Sequence, residues 1–325
     1  MTAVPGGSPA GPAGVVTFGE TMALMRAQTP GPLAHASELG LGIGGAESNV
    51  AIALARLGAP VSWFGRVGAD SLGDLVVREL RAEGLEVRAI RDPAAPTGLM
   101  IKERRTQHTQ KVWYYRAGSA GSRLGPADVP VEEIAAAGLL HVTGITPALS
   151  ESAADAVDLA VQTARAAGIP VSFDVNYRAA LWSPEAASPV LRGLAGRADI
   201  LFAGDDEAAL LVGPAQGPRE LAGALAELGP SQVVVKRGAQ GCAALVDGEY
   251  FEQAAIPVQP VDTVGAGDAF VAGYLAERLR GLPPQECLLT AVRTGAFACL
   301  VPGDWEGTPR RSELPLLEAT EPVSR

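Results

Sequence analysis

Short apolar runs alternate along this chain with amphipathic stretches of helical period, and few architectures accept that alternation. VVTFGE (residues 15–20) reads as a buried strand, and TMALMRA continues in an extended pattern. ESNVAIALARLG (47–58) carries apolar residues at Val50, Ile52, Ala53, Leu54 and Leu57 before a glycine stop, which marks an amphipathic helix. VSWFGRVG then reads as a strand, and SLGDLVVRELRAEG as a second helix with the same stop. A strand–helix–strand–helix rhythm of this kind builds a mostly parallel sheet covered by helices.

The middle of the chain interrupts the rhythm. GLMIKERR (98–105) and QKVWYYRA (110–117) are two strand-like runs joined by a short polar turn, which predicts a β-hairpin. The rhythm resumes with GLLHVTG as a strand, SESAADAVDLAVQTARAAG as a helix, and VSFDVNY (171–177) and DILFAG (199–204) as strands. A short helix from Asp205 and another around 219–228 follow, then the strands QVVVKRG and CAALVDG, then helices at about 265–280 and 284–300. The expected fold is a three-layer α/β/α sandwich over residues 15–325, with a small β-sheet lid drawn from about 21–43 and 97–118. The first fourteen residues, rich in Gly, Pro and Ala, read as a flexible tail without the basic start of a signal peptide.

Composition removes several function classes. Hydrophobic residues make up 47% of the 325, enough for a sizeable core. A net charge of −10 repels nucleic-acid backbones and anionic lipid, so neither is an expected partner. No apolar run reaches the roughly 20 residues of a membrane span. Cys242, Cys287 and Cys299 are odd in number and widely spaced, and His35, His108 and His141 have no partner at metal-ligand spacing. Buried thiols in a reducing cytoplasm are the expectation.

In open α/β sheets, ligands sit beyond the carboxyl ends of the strands. The stretch VDTVGAGDAFVAGYL (261–275) puts Gly265, Ala266 and Gly267 at the start of an apolar helix, with Asp268 directly after them. The first amides of a helix have no internal partners and the helix dipole makes that end positive, so a phosphate can settle there against glycine backbone. A carboxylate beside it can take the proton of an attacking alcohol, or it can merely complement the dipole. KRGAQG (236–241) ends a strand and turns on Gly238 and Gly241, which suits either backbone approach to a nucleotide or an ordinary turn. Lys236 and Arg237 there either steer phosphates or are solvated. Asp262 either binds an ion or braces its loop.

The pattern Asp262-Thr263-x-Gly265-Ala266-Gly267-Asp268-x-x-x-Ala272-Gly273 resembles the C-terminal signature of the ribokinase-like (PfkB) carbohydrate kinases. GGAESNVAIALARLGAPVSWFGRVG (44–68) resembles the family's N-terminal signature, and the resemblance spans nearly the whole chain beyond the tail. It implies transfer of the γ-phosphoryl group of ATP, with Mg2+, to a sugar hydroxyl. Asp268 would be the base, with the amides of Gly265, Ala266 and Gly267 as the anion hole. Asn176, Lys236, Gly238, Gly241, Gly265 and Gly267 would line ATP. Glu207 would order magnesium indirectly, although Gly204 stands where many relatives carry the Asn of an Asn-x-x-Glu motif.

Arg116 on the expected lid strand and Arg178 after DVNY are natural clamps for a carboxylate, which a neutral sugar would not need. GGAESN, YYRAGSA, GITPALS, DVNYR, LWSPEAA and GDWEG together resemble the group within the family that acts on 2-keto-3-deoxygluconate. That resemblance implies a sugar-acid site of Gly45, Asn49, Tyr114, Arg116, Ile145, Arg178 and Asp304, with Met100 where relatives can carry an aromatic residue. It implies phosphorylation at the C6 hydroxyl. The alternatives are another sugar kinase of the family, such as a fructokinase or ribokinase, and a catalytically silent sugar-binding protein. A dehydrogenase is disfavoured, because no Gly-x-Gly-x-x-Gly follows the first strand. Exposed lid strands make a homo-oligomer joined through the lid the expected assembly.

Overall fold

The computed structural model of the protein describes residues 14–106 and 109–318; His108 and all but the last residue of the expected tail lie outside them. In chain order, the first third holds β1 (Val15–Phe18), β2 (Met22–Ala27), β3 (Leu39–Gly44), α1 (Ala46–Arg56), β4 (Val61–Gly68), α2 (Ser71–Ala82) and β5 (Glu86–Asp92). The middle holds β6 (Leu99–Arg104), β7 (Gln110–Tyr115), α3 (Val131–Ala135), β8 (Leu139–Thr143), α4 (Glu151–Ala166), β9 (Val171–Asp174) and α5 (Pro184–Ala195). Then come β10 (Ile200–Gly204), α6 (Asp205–Val212), α7 (Pro218–Ala226), β11 (Gln232–Lys236), β12 (Cys242–Val246), β13 (Glu249–Gln253), α8 (Ala266–Leu279) and α9 (Pro284–Ala298).

Nine strands form one sheet in the order β13-β12-β11-β10-β9-β8-β1-β4-β5. Seven run parallel, and β12 and β13 close one edge antiparallel. Alternate residues feed opposite faces, as a period of two requires. Val234 joins the core under α1, α2, α8 and α9, while Val233 and Val235 join the core under α3 to α7. Both faces are therefore dry, which is why these strands read as unbroken apolar runs. The result is the expected three-layer sandwich.

The order of the strands locates the ligand crevice. From β1 the chain builds outward through β4 and β5, then returns to β1's other side and builds through β8, β9, β10 and β11. The reversal between β1 and β8 opens a gap at their carboxyl ends. Gly19 and Glu20 leave β1 there, Gly144 and Ile145 leave β8, and Asn176 and Lys236 lie at the ends of β9 and β11.

A second sheet of four strands, in the order β3-β2-β6-β7, stands apart from the first. Its β6–β7 pair is antiparallel with Met100 opposite Tyr114. Met22, Leu24 and Met100 pack with Val112 into a small cluster of their own.

Several elements were not anticipated. β5 carries Glu86, Arg88 and Arg91 on a sheet edge, and those charges hide its period. β13 follows a hairpin turn at Asp247 and Gly248, both at positive φ (50° and 86°), where Asp-Gly is the usual signal. α5 contains Pro189 in its interior, which argues against a helix from sequence, yet Ser183 caps it by accepting from the Ala186 amide at 3.4 Å. α3 is only five residues long.

Helices α8 and α9 are in close contact at Gly273, where an added Cβ would meet Ala291 Cα and the Thr290 carbonyl oxygen at 2.8 Å each. Gly273→Ala should therefore force the helices apart and destabilise the protein by about 1–3 kcal/mol. Urea titration followed by circular dichroism measures it.

Candidate active site

Glycine at 265 lets the chain turn abruptly into α8. Its φ is 77°, and a side chain there would collide with the Asp304 carbonyl. The Gly265 carbonyl accepts from the Ala269 amide at 2.9 Å, which launches the helix. Ala266 and Gly267 are its first two residues and Asp268 its third. The Ala266 amide makes a long 3.3 Å bond to the Thr263 carbonyl, a contact that an incoming anion can replace.

Asp268 is buried, and two amides from distant parts of the chain reach it. Asn49 Nδ2, on α1, donates to Oδ2 at 2.7 Å. Asn176 Nδ2 reaches Oδ1 at 3.5 Å from a residue in the left-handed region, φ 41°. That backbone conformation swings the side chain off the end of β9 toward the helix start, at the usual cost of a non-glycine residue there. Burial pushes the Asp268 carboxyl up to about 7. The Asn49 hydrogen bond opposes this rise, the nearby Asp174 charge adds to it, and the Arg178 and Lys236 charges oppose it.

Lys236 is not simply solvated. Its ammonium binds both oxygens of Asp174, at 2.6 and 2.8 Å, and lies 3.8 Å from where a Cβ on Gly267 would stand. Burial works to lower its pKa, but Asp174, Glu207 and Asp268 outweigh that effect and the net shift is upward. Arg237 faces Asp205 at 3.6 Å. Gly238 (φ 51°) opens the turn after β11, and Gly241 (φ 93°) closes it against the backbone of residues 253–255. Glu207 has both oxygens engaged: Oε1 accepts from the Tyr177 amide at 3.0 Å and Oε2 from the Gly204 amide at 2.7 Å.

The carboxylate of Asp304 and the Met100 side chain both lie against Gly44. Gly45 caps α1, and its amide faces Asn49 Oδ1 at 3.5 Å. Ile145 is buried beyond β8, its amide donating to Thr143 Oγ1 at 3.1 Å. Arg116 lies 5.8 Å from the centre of the Tyr114 ring, in cation–π range, and its Nε donates to Glu20 Oε2 at 2.7 Å. Arg178 is exposed and donates to the Tyr177 carbonyl at 3.2 Å.

Some of the expected site residues gather around Asp268, whereas Tyr114, Arg116, Ile145 and Arg178 have their contacts elsewhere. Asn49, Asn176 and Asp268 are bonded directly, Lys236 is bound to Asp174 near Gly267, and Asp304 lies against Gly44. Sequence reasoning passed over Glu20, Glu47, Lys102 and Asp174. All four are buried charges, and a buried charge has no periodic signal that separates it from a surface one. Asp262 braces its loop: Oδ1 accepts from the Val264 amide at 3.0 Å and Oδ2 from the Gly303 amide at 3.2 Å.

Residues 13–311 match the family described as pfkB family carbohydrate kinase. The chain belongs to that family. As a sugar kinase, it is 40% identical over 304 residues to a 2-dehydro-3-deoxygluconokinase of Bacillus subtilis, covering 92% of this chain and 93% of that protein. It is 37% identical to a 2-dehydro-3-deoxygluconokinase of Thermoproteus tenax, covering 92% of each. Its structure superposes with a TM-score of 0.87 on a putative ribokinase II of Escherichia coli solved with ATP and Mg2+, which is 28% identical and matches 94% of this chain and 99% of that one.

The raised Asp268 carboxyl has a consequence for stability. Its folded-state value, about 7, lies above the ordinary 3.8, so between those limits the folded kinase holds a proton that the unfolded chain has lost. Stability from this group is full at low pH and declines as pH rises through 7, where the buried carboxylate ionises. Asp268→Asn should therefore melt higher than wild type at pH 8 without ligands, by about 2–4 °C per kcal/mol relieved, with the gap narrowing toward pH 5.5. Differential scanning calorimetry at the two pH values checks it.

Proposed function

We propose that this protein transfers the γ-phosphoryl group of ATP to the C6 hydroxyl of 2-keto-3-deoxygluconate, giving 2-keto-3-deoxy-6-phosphogluconate in the cytoplasm. The observation that carries the proposal is the placement of Asp268: a buried carboxyl near pKa 7, held by Asn49 and Asn176 at the start of a helix whose Ala266 amide makes only a long bond to Thr263. The names of the two gluconokinase relatives support the substrate, and the arginines at 116 and 178 suit a sugar acid better than a neutral sugar.

In this reading ATP lies along the Lys236–Gly241 turn, with Gly238 and Gly241 admitting it to the backbone. Its terminal phosphate rests on the amides of Gly265, Ala266 and Gly267. The sugar acid lies toward the small sheet, against Gly45, Asn49, Ile145 and Asp304. Its carboxylate meets Arg116 and Arg178, and Tyr114 covers it. Glu20 holds Arg116 by Nε and Nη2, which orients the guanidinium and leaves Nη1 for a ligand. As the C6 oxygen bonds to the γ-phosphorus, its O–H bond breaks and the proton passes to Asp268. The bond from the γ-phosphorus to the β–γ bridging oxygen breaks and ADP leaves. Positioning and charge stabilisation dominate such a transfer.

Among the described residues, no group of three or more His, Cys, Asp or Glu forms a ready metal cage. Magnesium asks for less, since it keeps most of its waters and rides on the phosphates. Glu207 and Asp174 fit that outer role, each engaged by donors but retaining lone pairs for water. Bound there, the ion would neutralise phosphate charge.

We further propose that a second copy covers the outer face of the small sheet. Leu39, Leu41, Trp113 and Tyr115 share that face by register, and Leu41 and Tyr115 are 57% and 62% exposed. A contiguous apolar surface of this kind marks an interface. Light scattering should find a dimer or higher oligomer, and Leu41→Arg with Trp113→Glu should reduce it to a monomer.

An ADP-release assay on a panel of acidic and neutral sugars tests the activity. Turnover should be highest with 2-keto-3-deoxygluconate, and kcat/KM should rise as pH increases through about 7. Asp268→Asn should lose roughly 10²–10⁴ in rate. Preference for fructose or ribose overturns the substrate, and near-equal turnover by Asp268→Asn overturns the base.

A further inference from the structure

Lys102 is an anomaly in the small sheet. It sits on β6 opposite Val112, and its side chain is only 2% exposed. Its ammonium pairs with Asp304 and stands 3.4 Å from Asp262 Oδ2. These acids belong to two loops far apart in sequence. Asp262 opens the loop that runs into Gly265 and α8, and its oxygens also accept from the Val264 and Gly303 amides. Asp304 belongs to the loop after α9, where its carbonyl backs Gly265 and its carboxylate lies against Gly44. One ammonium from the small sheet thus meets both the loop that forms the helix mouth and the acid facing the crevice.

Stability does not require such a cluster. Three buried charges give up much hydration, and a well-packed apolar group at the same place commonly serves folding as well. What the ammonium supplies that an apolar group cannot is a fixed direction for two carboxylates. Burial pushes the Asp304 carboxyl upward, and Lys102 is the largest influence holding it down. Among the described residues the Lys102 ammonium pairs with Asp304 and Asp262, whereas Lys236 on the nucleotide side pairs with Asp174.

We infer that Lys102 is a positioning residue for the acceptor half of the site, aiming Asp304 at the sugar and tying the small sheet to the loop before Asp268. This rests on the site assignment under Proposed function. Because Lys102 acts on the sugar side, its loss should separate the two substrates.

The test is steady-state kinetics of Lys102→Met, Lys102→Arg and the double variant Lys102→Met/Asp262→Asn. Lys102→Met should raise the KM for the sugar about tenfold or more and lower kcat, while the KM for ATP stays within about twofold. Lys102→Arg, which keeps the charge, should hold the sugar KM within about threefold of wild type. The double variant removes one buried carboxylate together with the ammonium, so it lessens the folding penalty; it should fold and keep the high sugar KM. That comparison stands even where Lys102→Met alone unfolds. The inference is overturned if Lys102→Met or the double variant keeps a wild-type sugar KM, if both KM values rise together, or if the Arg and Met variants are equally impaired. If wild type prefers another sugar, the substrate assignment fails separately, and the same comparison is made with the sugar it does accept.

Discussion

The contact between Asn49 and Asp268 organises this molecule. It spans most of the chain and joins the first helix of the sandwich to the second-last one. An ionised carboxylate deep in a protein is held only where donors meet it, and here the donors are neutral amides rather than a cation. A neutral amide orients the group without locking it into the charged form, so the carboxyl keeps a proton affinity close to neutrality. A lysine bonded there would have held it as a spent anion. Lys236 is instead bound to Asp174, near enough to influence Asp268 without saturating it.

The fold explains how these groups come together. Seven parallel strands end on the same side, and the strand order reverses beside β1, so loops from both halves of the sheet open onto one crevice. The small sheet has an apolar cluster of only a few residues of its own, and its Ala23 and Ile43 lean into the core of the sandwich. Buried charge contacts join the two bodies as well, Glu20 with Arg116 and Lys102 with its two acids. Those junctions sit beside the crevice.

Much of this was legible in the sequence. Strands buried on both faces announce themselves as apolar runs, and helices with one dry side announce themselves by spacing and by their glycine stops. The mouth of α8 was legible because Gly265 occupies a backbone shape that other residues resist. What was not legible depends on partners distant in sequence. Nothing near Lys102 tells that a lysine in KER points inward, and nothing in DVNY tells that Asp174 holds Lys236 while Asn176 bends toward a helix 92 residues away. β5 and α5 were obscured by edge charges and by an interior proline. Glu207 looked like a metal-side acid, and its carboxylate also clamps the Gly204 and Tyr177 amides, a role visible only in three dimensions.

Helices α8 and α9 cover the same face of the sheet as α1 and α2, and they are the last long elements in the chain. During synthesis that face stays partly bare until these two helices have left the ribosome. The opposite face, roofed by α3 to α7, is complete much earlier. A nascent chain of this protein therefore carries an oily, half-finished flank through most of its translation, and the closing pair of helices covers it in the same late step that brings Asp268 to Asn49.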